Sequence, residues 1–292
     1  MILYDKLIFH YSMRRTRLTI TLREDTIKEV DKIIDGSSIR SRSHAIEYVL
    51  QKNFIPKVRE ALILAGGKGL HLRPYTYEMP KCMLPVSGKP VLEHVIELFR
   101  KNEIRDLVIS IGYLGDKIKE YFGDGNKFGV RIKYIQQAGP ERGTAPPVRQ
   151  AKKYMSSGSP FILYYGDVLA DVDLRDLIDF HTINKSFATM ALTSVAQSSK
   201  WGMVALHGTK IIKFSEKPDA DKTFSHLINA GIYVLNQKIF ESISSEDKKL
   251  EDDVFPRLAK EGKLVGYAFD GAWFDIGDLH IYEKAVKEWK KA

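Results

Sequence analysis

Two rhythms of apolar and polar positions run along the chain. From Arg17 to Arg23 they alternate: Leu18, Ile20 and Leu22 on one face, Arg17, Thr19, Thr21 and Arg23 on the other. That is the pattern of a strand with one buried face and one basic, hydrogen-bonding face. Glu24 to Ile34 then carries Ile27, Val30, Ile33 and Ile34 at helical spacing, with acids in the first turn. Asp35-Gly36-Ser37-Ser38 stops that helix, and Ser43 is placed to N-cap a second one over Ala45 to Lys52, with Ile46, Val49 and Leu50 inward. So short a segment with one isolated strand cannot bury a sufficient core, which predicts a partner chain.

From Glu60 the rhythm changes. Short apolar runs alternate with amphipathic stretches, the signature of an α/β fold with a doubly wound sheet. Strands are predicted at 61–65, 106–111, 130–135, 160–165, 187–195, 229–235 and 264–269, with a hairpin of 202–206 and 210–215 around His207-Gly208-Thr209. Helices are predicted at 91–101, 114–122, after the Pro146-Pro147 pair, and at 174–184, 252–260 and 279–290. The organisation that follows is a tail over 1–13, a small module over 14–53, a linker over 54–58 marked by Pro56, and a main domain over 59–292. Met13 stands as an alternative start.

Charge sharpens this division. The chain carries a net +8, from 45 basic and 37 acidic residues. Residues 1–58 hold eleven basic against seven acidic residues, so the bias at the amino end asks for an anionic partner there. One cysteine, Cys82, excludes an internal disulfide and fits a reducing compartment. It reads as a packing residue. No run reaches the roughly 20 apolar residues of a membrane span, so the expectation is a cytoplasmic protein with no membrane partner. The histidines share no metal-ligand spacing, and Trp201 and Trp273 read as packing residues.

Candidate chemistry begins where the first main-domain strand ends. Ala61-Leu62-Ile63-Leu64-Ala65 runs into Gly66-Gly67-Lys68-Gly69, whose backbone N–H groups can cradle phosphate oxygens, with Lys68, Arg73 and Lys81 as nearby cations. The spacing is neither that of the P-loop nor that of the dinucleotide fingerprint. A second strand ends at Gly166-Asp167. Open α/β sheets bind ligands beyond the carboxyl ends of their strands, and an acid there is placed to hold Mg²⁺ against a triphosphate.

Two resemblances follow from these residues. Strand, helix, glycine turn and serine-capped helix, with Arg40-Ser41-Arg42-Ser43-His44-Ala45-Ile46, resemble the ribbon-helix-helix family of DNA-binding proteins over about 14–53. The resemblance implies a homodimer whose paired strands enter a DNA major groove. Arg15, Arg17, Thr19 and Thr21 would then meet base edges or phosphates, with a phosphate at the Ser43 helix terminus.

The second resemblance covers about 59–292. The glycine loop with Leu72-Arg73-Pro74, Pro80-Lys81, Gly143-Thr144-Ala145, Gly166-Asp167, Trp201-Gly202, Glu216-Lys217-Pro218, 229–233 (NAGIY) and 273–277 (WFDIG) stand in the order of the sugar-nucleotide pyrophosphorylases. The likeness implies a mixed, mostly parallel Rossmann-like sheet and a Mg²⁺-dependent transfer between an NTP and a sugar 1-phosphate. It would put Leu64, Ala65, Gly66, Gly67, Lys68, Gly69, Gln136, Gly143 and Thr144 on the nucleotide. Gly202, Glu216, Lys217 and Asn229 would hold the sugar phosphate, Asp167 and Asp275 the metal, and Lys81, Arg73, His71 and Asp167 would act in catalysis.

One departure stands out. The family usually has Gly-Thr-Arg-Leu where this chain has Gly69-Leu70-His71-Leu72, so a charged fork facing the triphosphate is missing. That leaves a second expectation open, a DNA-binding regulator whose catalytic domain senses nucleotide sugar, and a third, a cytidylyltransferase for phosphocholine-like substrates.

Overall fold

The computed structural model describes residues 17–54, 58–137, 143–155 and 158–289. The chain divides into two compact units, Met1–Ile55 and Pro56–Ala292. The tail at 1–13 and Arg15 lie outside the described residues.

The first unit is a helix pair. α1 (Glu24–Lys32) and α2 (Arg42–Phe54) are joined by a turn in which Asp35 Oδ1 accepts the N–H groups of Ser37, Ser38 and Ile39 at 2.8, 2.7 and 2.9 Å. The guanidinium of Arg42 makes a two-pronged contact with Asp31, at 2.7 and 2.8 Å. Two sequence expectations change here. The cap of α2 is Ser41, whose hydroxyl accepts from the His44 N–H at 3.2 Å, while Ser43 lies exposed within the first turn. No strand forms over 17–23, because a strand exists only where a neighbour completes its ladder. Leu18 is 82% exposed and Ile20 53%.

The second unit opens with β1 (Glu60–Ala65), then β2 (Pro85–Val86), β3 (Lys89–Pro90) and α3 (Val91–Lys101). β4 (Asp106–Ile111), α4 (Gly115–Phe122), β5 (Arg131–Gln136), α5 (Ala145–Ala151), β6 (Phe161–Tyr165) and β7 (Val168–Ala170) follow. Then come α6 (Leu174–Ile183), β8 (Ala188–Ser194), β9 (Met203–His207), β10 (Lys210–Ser215) and β11 (Leu227–Leu235). α7 (Phe255–Lys260), β12 (Leu264–Ala268), β13 (Trp273–Asp275) and α8 (Leu279–Glu288) complete it.

Nine strands form the main sheet in the order β5-β4-β1-β6-β11-β8-β12-β10-β9. Alternate residues of β1 enter opposite cores: Ala61, Ile63 and Ala65 on the side of α3, α4 and α6, Leu62 on the side of α5 and α7. The β5-β4-β1-β6 half is parallel, as expected. The other half departs from a mostly parallel sheet: β11 runs antiparallel to both β6 and β8, and β10 to both β9 and β12. Of these pairs, β9 and β10 are joined by a tight hairpin, which makes them antiparallel.

A small ribbon was not legible in the sequence. β13 pairs antiparallel with β7, placing Asp275 opposite Val168. Phe274 and Ile276 sink into a third apolar cluster with Leu169, Leu72 and Ala285. The segment before α7, Leu250–Val254, is a π-helical turn. Among the described residues no helix is long and apolar enough to cross a membrane.

Candidate active site

At the end of β1 the chain turns into the glycine loop. A Cβ on Gly66 would sit 2.6 Å from the side-chain amide of Gln137, which would have to move aside. Gln137 is held there by donating from Nε2 to Ser110 Oγ at 3.1 Å. Gln136, the residue expected on the nucleotide, is exposed at the end of β5, since successive strand residues face opposite ways. The Thr76 hydroxyl donates to the Gly69 carbonyl at 2.7 Å and ties down the far end of the loop. Gly67, Lys68 and His71 are exposed. The Arg73 guanidinium lies over the Tyr77 ring, 4.9 Å from its centroid.

Lys81 links this loop to the acids. Its Cβ lies 3.2 Å from where a Gly69 Cβ would stand, and its ammonium forms an ion pair with Asp167. Burial works against the Lys81 charge, yet Asp167 and Asp275 outweigh it and raise the pKa. Asp167 follows β6, and its carbonyl accepts from the Ile276 N–H at 2.9 Å. The β7–β13 ribbon thus delivers Asp275 beside it across more than a hundred residues of sequence. Burial, and then the Asp167 charge, push the Asp275 carboxyl up to about 6. Trp201 Nε1 donates to Asp275 Oδ2 at 3.1 Å, and its ring meets that of Trp273 edge-on at 5.5 Å.

These groups open onto a pocket of about 200 Å³. It brings together Lys81, Asp167, Gly202, Glu216, Lys217, Asn229 and Asp275, all named from the sequence, and adds Tyr165, Trp201, Glu251 and Trp273. The two tryptophans are therefore more than packing residues. Asn229 is buried, and its Oδ1 accepts from the Gly231 N–H at 3.0 Å, leaving Nδ2 as a donor. Lys217 sits in the left-handed region at φ 38°, a strained conformation for a side-chain-bearing residue, with Nζ 3.9 Å from Glu216 Oε1. Burial, and then the Glu251 charge, push the Glu216 carboxyl up to about 7.

Among the described residues lining this pocket, the glycine loop, His71, Arg73, Gly143 and Thr144 do not appear. Thr144 acts from behind, donating to Glu251 Oε2 at 2.5 Å. Two carboxylates without histidine or thiolate are a hard oxygen donor set of the kind Mg²⁺ takes. No group of three or more potential ligands occurs among the described residues, so the remaining positions would fall to phosphate oxygens and water.

The profile of the nucleotidyl transferase family matches residues 60–292. The chain belongs to that family. This nucleotidyl transferase is 33% identical over 243 residues to the UTP–glucose-1-phosphate uridylyltransferase of Synechocystis sp., covering 78% of the chain and 62% of that protein. It is 32% identical over 221 residues to the mannose-1-phosphate guanylyltransferase catalytic subunit beta of Dictyostelium discoideum, covering 75% of the chain and 61% of that protein. The chain thus spans about three fifths of the length of these curated relatives. Among solved structures it resembles HddC from Yersinia pseudotuberculosis, with a TM-score of 0.69 at 25% identity, over 80% of this chain and all of that one. Residues 17–54 of the nucleotidyl transferase lie outside the family match.

Proposed function

We propose that this nucleotidyl transferase joins an NTP to a sugar 1-phosphate with the help of Mg²⁺, releasing pyrophosphate. The observation that carries the reading is the meeting of Asp167 and Asp275 beside Lys81, at one end of a pocket whose wall is Glu216, Lys217 and Asn229. A phosphate oxygen of the sugar attacks the α-phosphorus in line. The bond from that phosphorus to the β-bridging oxygen breaks, and pyrophosphate leaves with the electron pair. The attacking oxygen is already anionic, so no general base is needed, and positioning with charge neutralisation does the work. Lys81 neutralises charge at the α-phosphate, Lys217 binds the sugar phosphate, and Glu216 and Asn229 hydrogen-bond the ring hydroxyls. Asp167 and Asp275 would hold Mg²⁺, which when bound lets two anionic substrates share one pocket. Pyrophosphate release measured for each NTP against glucose, mannose and galactose 1-phosphates tests this. No turnover with any pair sinks it.

The amino-terminal unit supports a second element of the proposal: a homodimer that pairs residues 17–23 of two chains and binds DNA through Arg17, Thr19 and Thr21. Its support is the exposure of Leu18 and Ile20 on an otherwise basic segment. Sedimentation should show a dimer that Leu18→Asp dissociates. DNA binding should fall steeply with salt and be lost in Arg17→Ala with Thr19→Ala. The exposed His71, with Arg73 turned onto Tyr77, favours an alternative in which the domain senses a nucleotide sugar instead of making one. A nucleotide sugar that shifts DNA affinity in a protein without turnover would establish that alternative.

A further inference from the structure

We propose that Glu251 is a positioning and specificity-determining residue of the sugar pocket: with Glu216 it forms a wall of two acidic side chains that admits a neutral hexose and excludes one bearing a carboxylate. The idea rests on the sugar-binding reading above and names the substrate class of that site.

Glu251 is 8% exposed, yet it lines the pocket. Both of its oxygens are engaged by hydroxyl donors from distant parts of the chain. The Thr144 hydroxyl accepts from the Leu250 N–H at 2.8 Å, so its one proton goes to Glu251 Oε2 at 2.5 Å. The Tyr165 hydroxyl donates to Oε1. With both oxygens accepting, Glu251 stands as a carboxylate whose rotamer is locked from two sides. Among the described residues no ion pair reaches it: Lys81 and Lys217, which line the pocket, face Asp167 and Glu216, and Lys249, whose pKa Glu251 helps raise, pairs with Asp252.

That fixed charge acts on Glu216. The groups bearing on Glu216 are Glu251 and Asp252, which raise its pKa together with burial, and Lys217 and Lys249, which lower it. The net result, near 7, leaves Glu216 able to keep its proton around neutrality and to donate it to a ring hydroxyl. A neutral polyol satisfies such a wall with its own donors and acceptors. A hexuronate would set its own carboxylate against the fixed charge of Glu251.

The test is equilibrium binding to the full chain of UDP-glucose and GDP-mannose against UDP-glucuronic acid and GDP-mannuronic acid, from pH 5.5 to 8.5. These ligands are products, so no turnover is required. The wild type is expected to prefer the hexose by about 100-fold or more. E251Q should shrink that ratio at least tenfold and move the pH midpoint of hexose binding, near 7 in the wild type, down by a unit or more. A purely structural role would leave the midpoint in place. Equal binding of hexose and hexuronate by the wild type overturns the idea whether or not the variant folds, as does an E251Q protein with ratio and midpoint unchanged. Binding without pyrophosphate release with any NTP would refute the transferase reading alone. Absence of binding by every nucleotide sugar would refute both.

Discussion

On one side of Lys81 the pocket wall is cross-linked. Thr144 and Tyr165 clamp Glu251, the Trp201 indole holds Asp275, and Asn229 is buried with its carbonyl committed. On the other side, the glycine loop is anchored at Gly66 and Gly69 but leaves Lys68 and His71 in solvent, with Arg73 stacked on Tyr77. On the function proposed above, the difference would give the two substrates different kinds of recognition. A preorganised wall spends its ordering cost during folding, so any sugar selectivity it carries would be built in. On the same reading, the solvent-exposed cations of the loop would meet the triphosphate, so the nucleotide side would be tuned by how many charges reach the ligand.

Removing either member of the acid pair is the harshest test, because it strikes the junction of both halves. Asp167→Asn or Asp275→Asn, like removal of Mg²⁺ with EDTA, is expected to cut kcat by 10³ or more in a pyrophosphate-release assay. A smaller effect would mean the pair is structural. Lys81→Ala should lose about 10²–10³ in kcat, the range for a single charged contact at the reacting centre. His71→Arg probes the loop side directly, and a gain of about tenfold in kcat/KM for the NTP is expected, with KM for the sugar phosphate unchanged. A matched loss in both parameters would erase the distinction between the two sides.

The smallest effect is on stability. The folded-state pKa of Asp275 is raised from 3.8 to about 6, so the native state holds this proton more tightly than the unfolded chain does. Its contribution is fully present below pH 4 and is lost as pH rises through 6. Asp275→Asn should therefore raise Tm at pH 8 and leave it nearly unchanged at pH 4. The expected gain is on the order of 2 kcal/mol, or several degrees by calorimetry.

Most of the main sheet was legible because its strands are short apolar runs punctuated by glycine and aspartate. Asp167 could be found as the acid that ends such a run. Asp275 came through the family likeness, and the ribbon that delivers it did not show, since three-residue strands a hundred residues apart leave no periodic trace. Glu251 was hidden differently. It opens the run Glu251-Asp252-Asp253, which reads as the solvated start of a helix, and nothing local shows that its first acid turns inward. Gln136 ends β5 opposite Ile111, and Gln137, just past the strand, turns its amide toward Gly66 and Ser110. In the amino-terminal unit the alternation of 17–23 was plain, but a pattern cannot form a strand without a second edge.

The π-helical turn at Leu250–Val254 has an evolutionary consequence. Such turns are α-helices carrying one extra residue. Deleting a single codon there would restore ordinary winding and swing the residues upstream of the deletion by about 100° around the axis. Glu251 would leave its contacts with Thr144 and Tyr165 in one step. If Glu251 selects the sugar as proposed, a frame-preserving indel in this turn is a short route by which a descendant could change its sugar without rebuilding its catalytic centre.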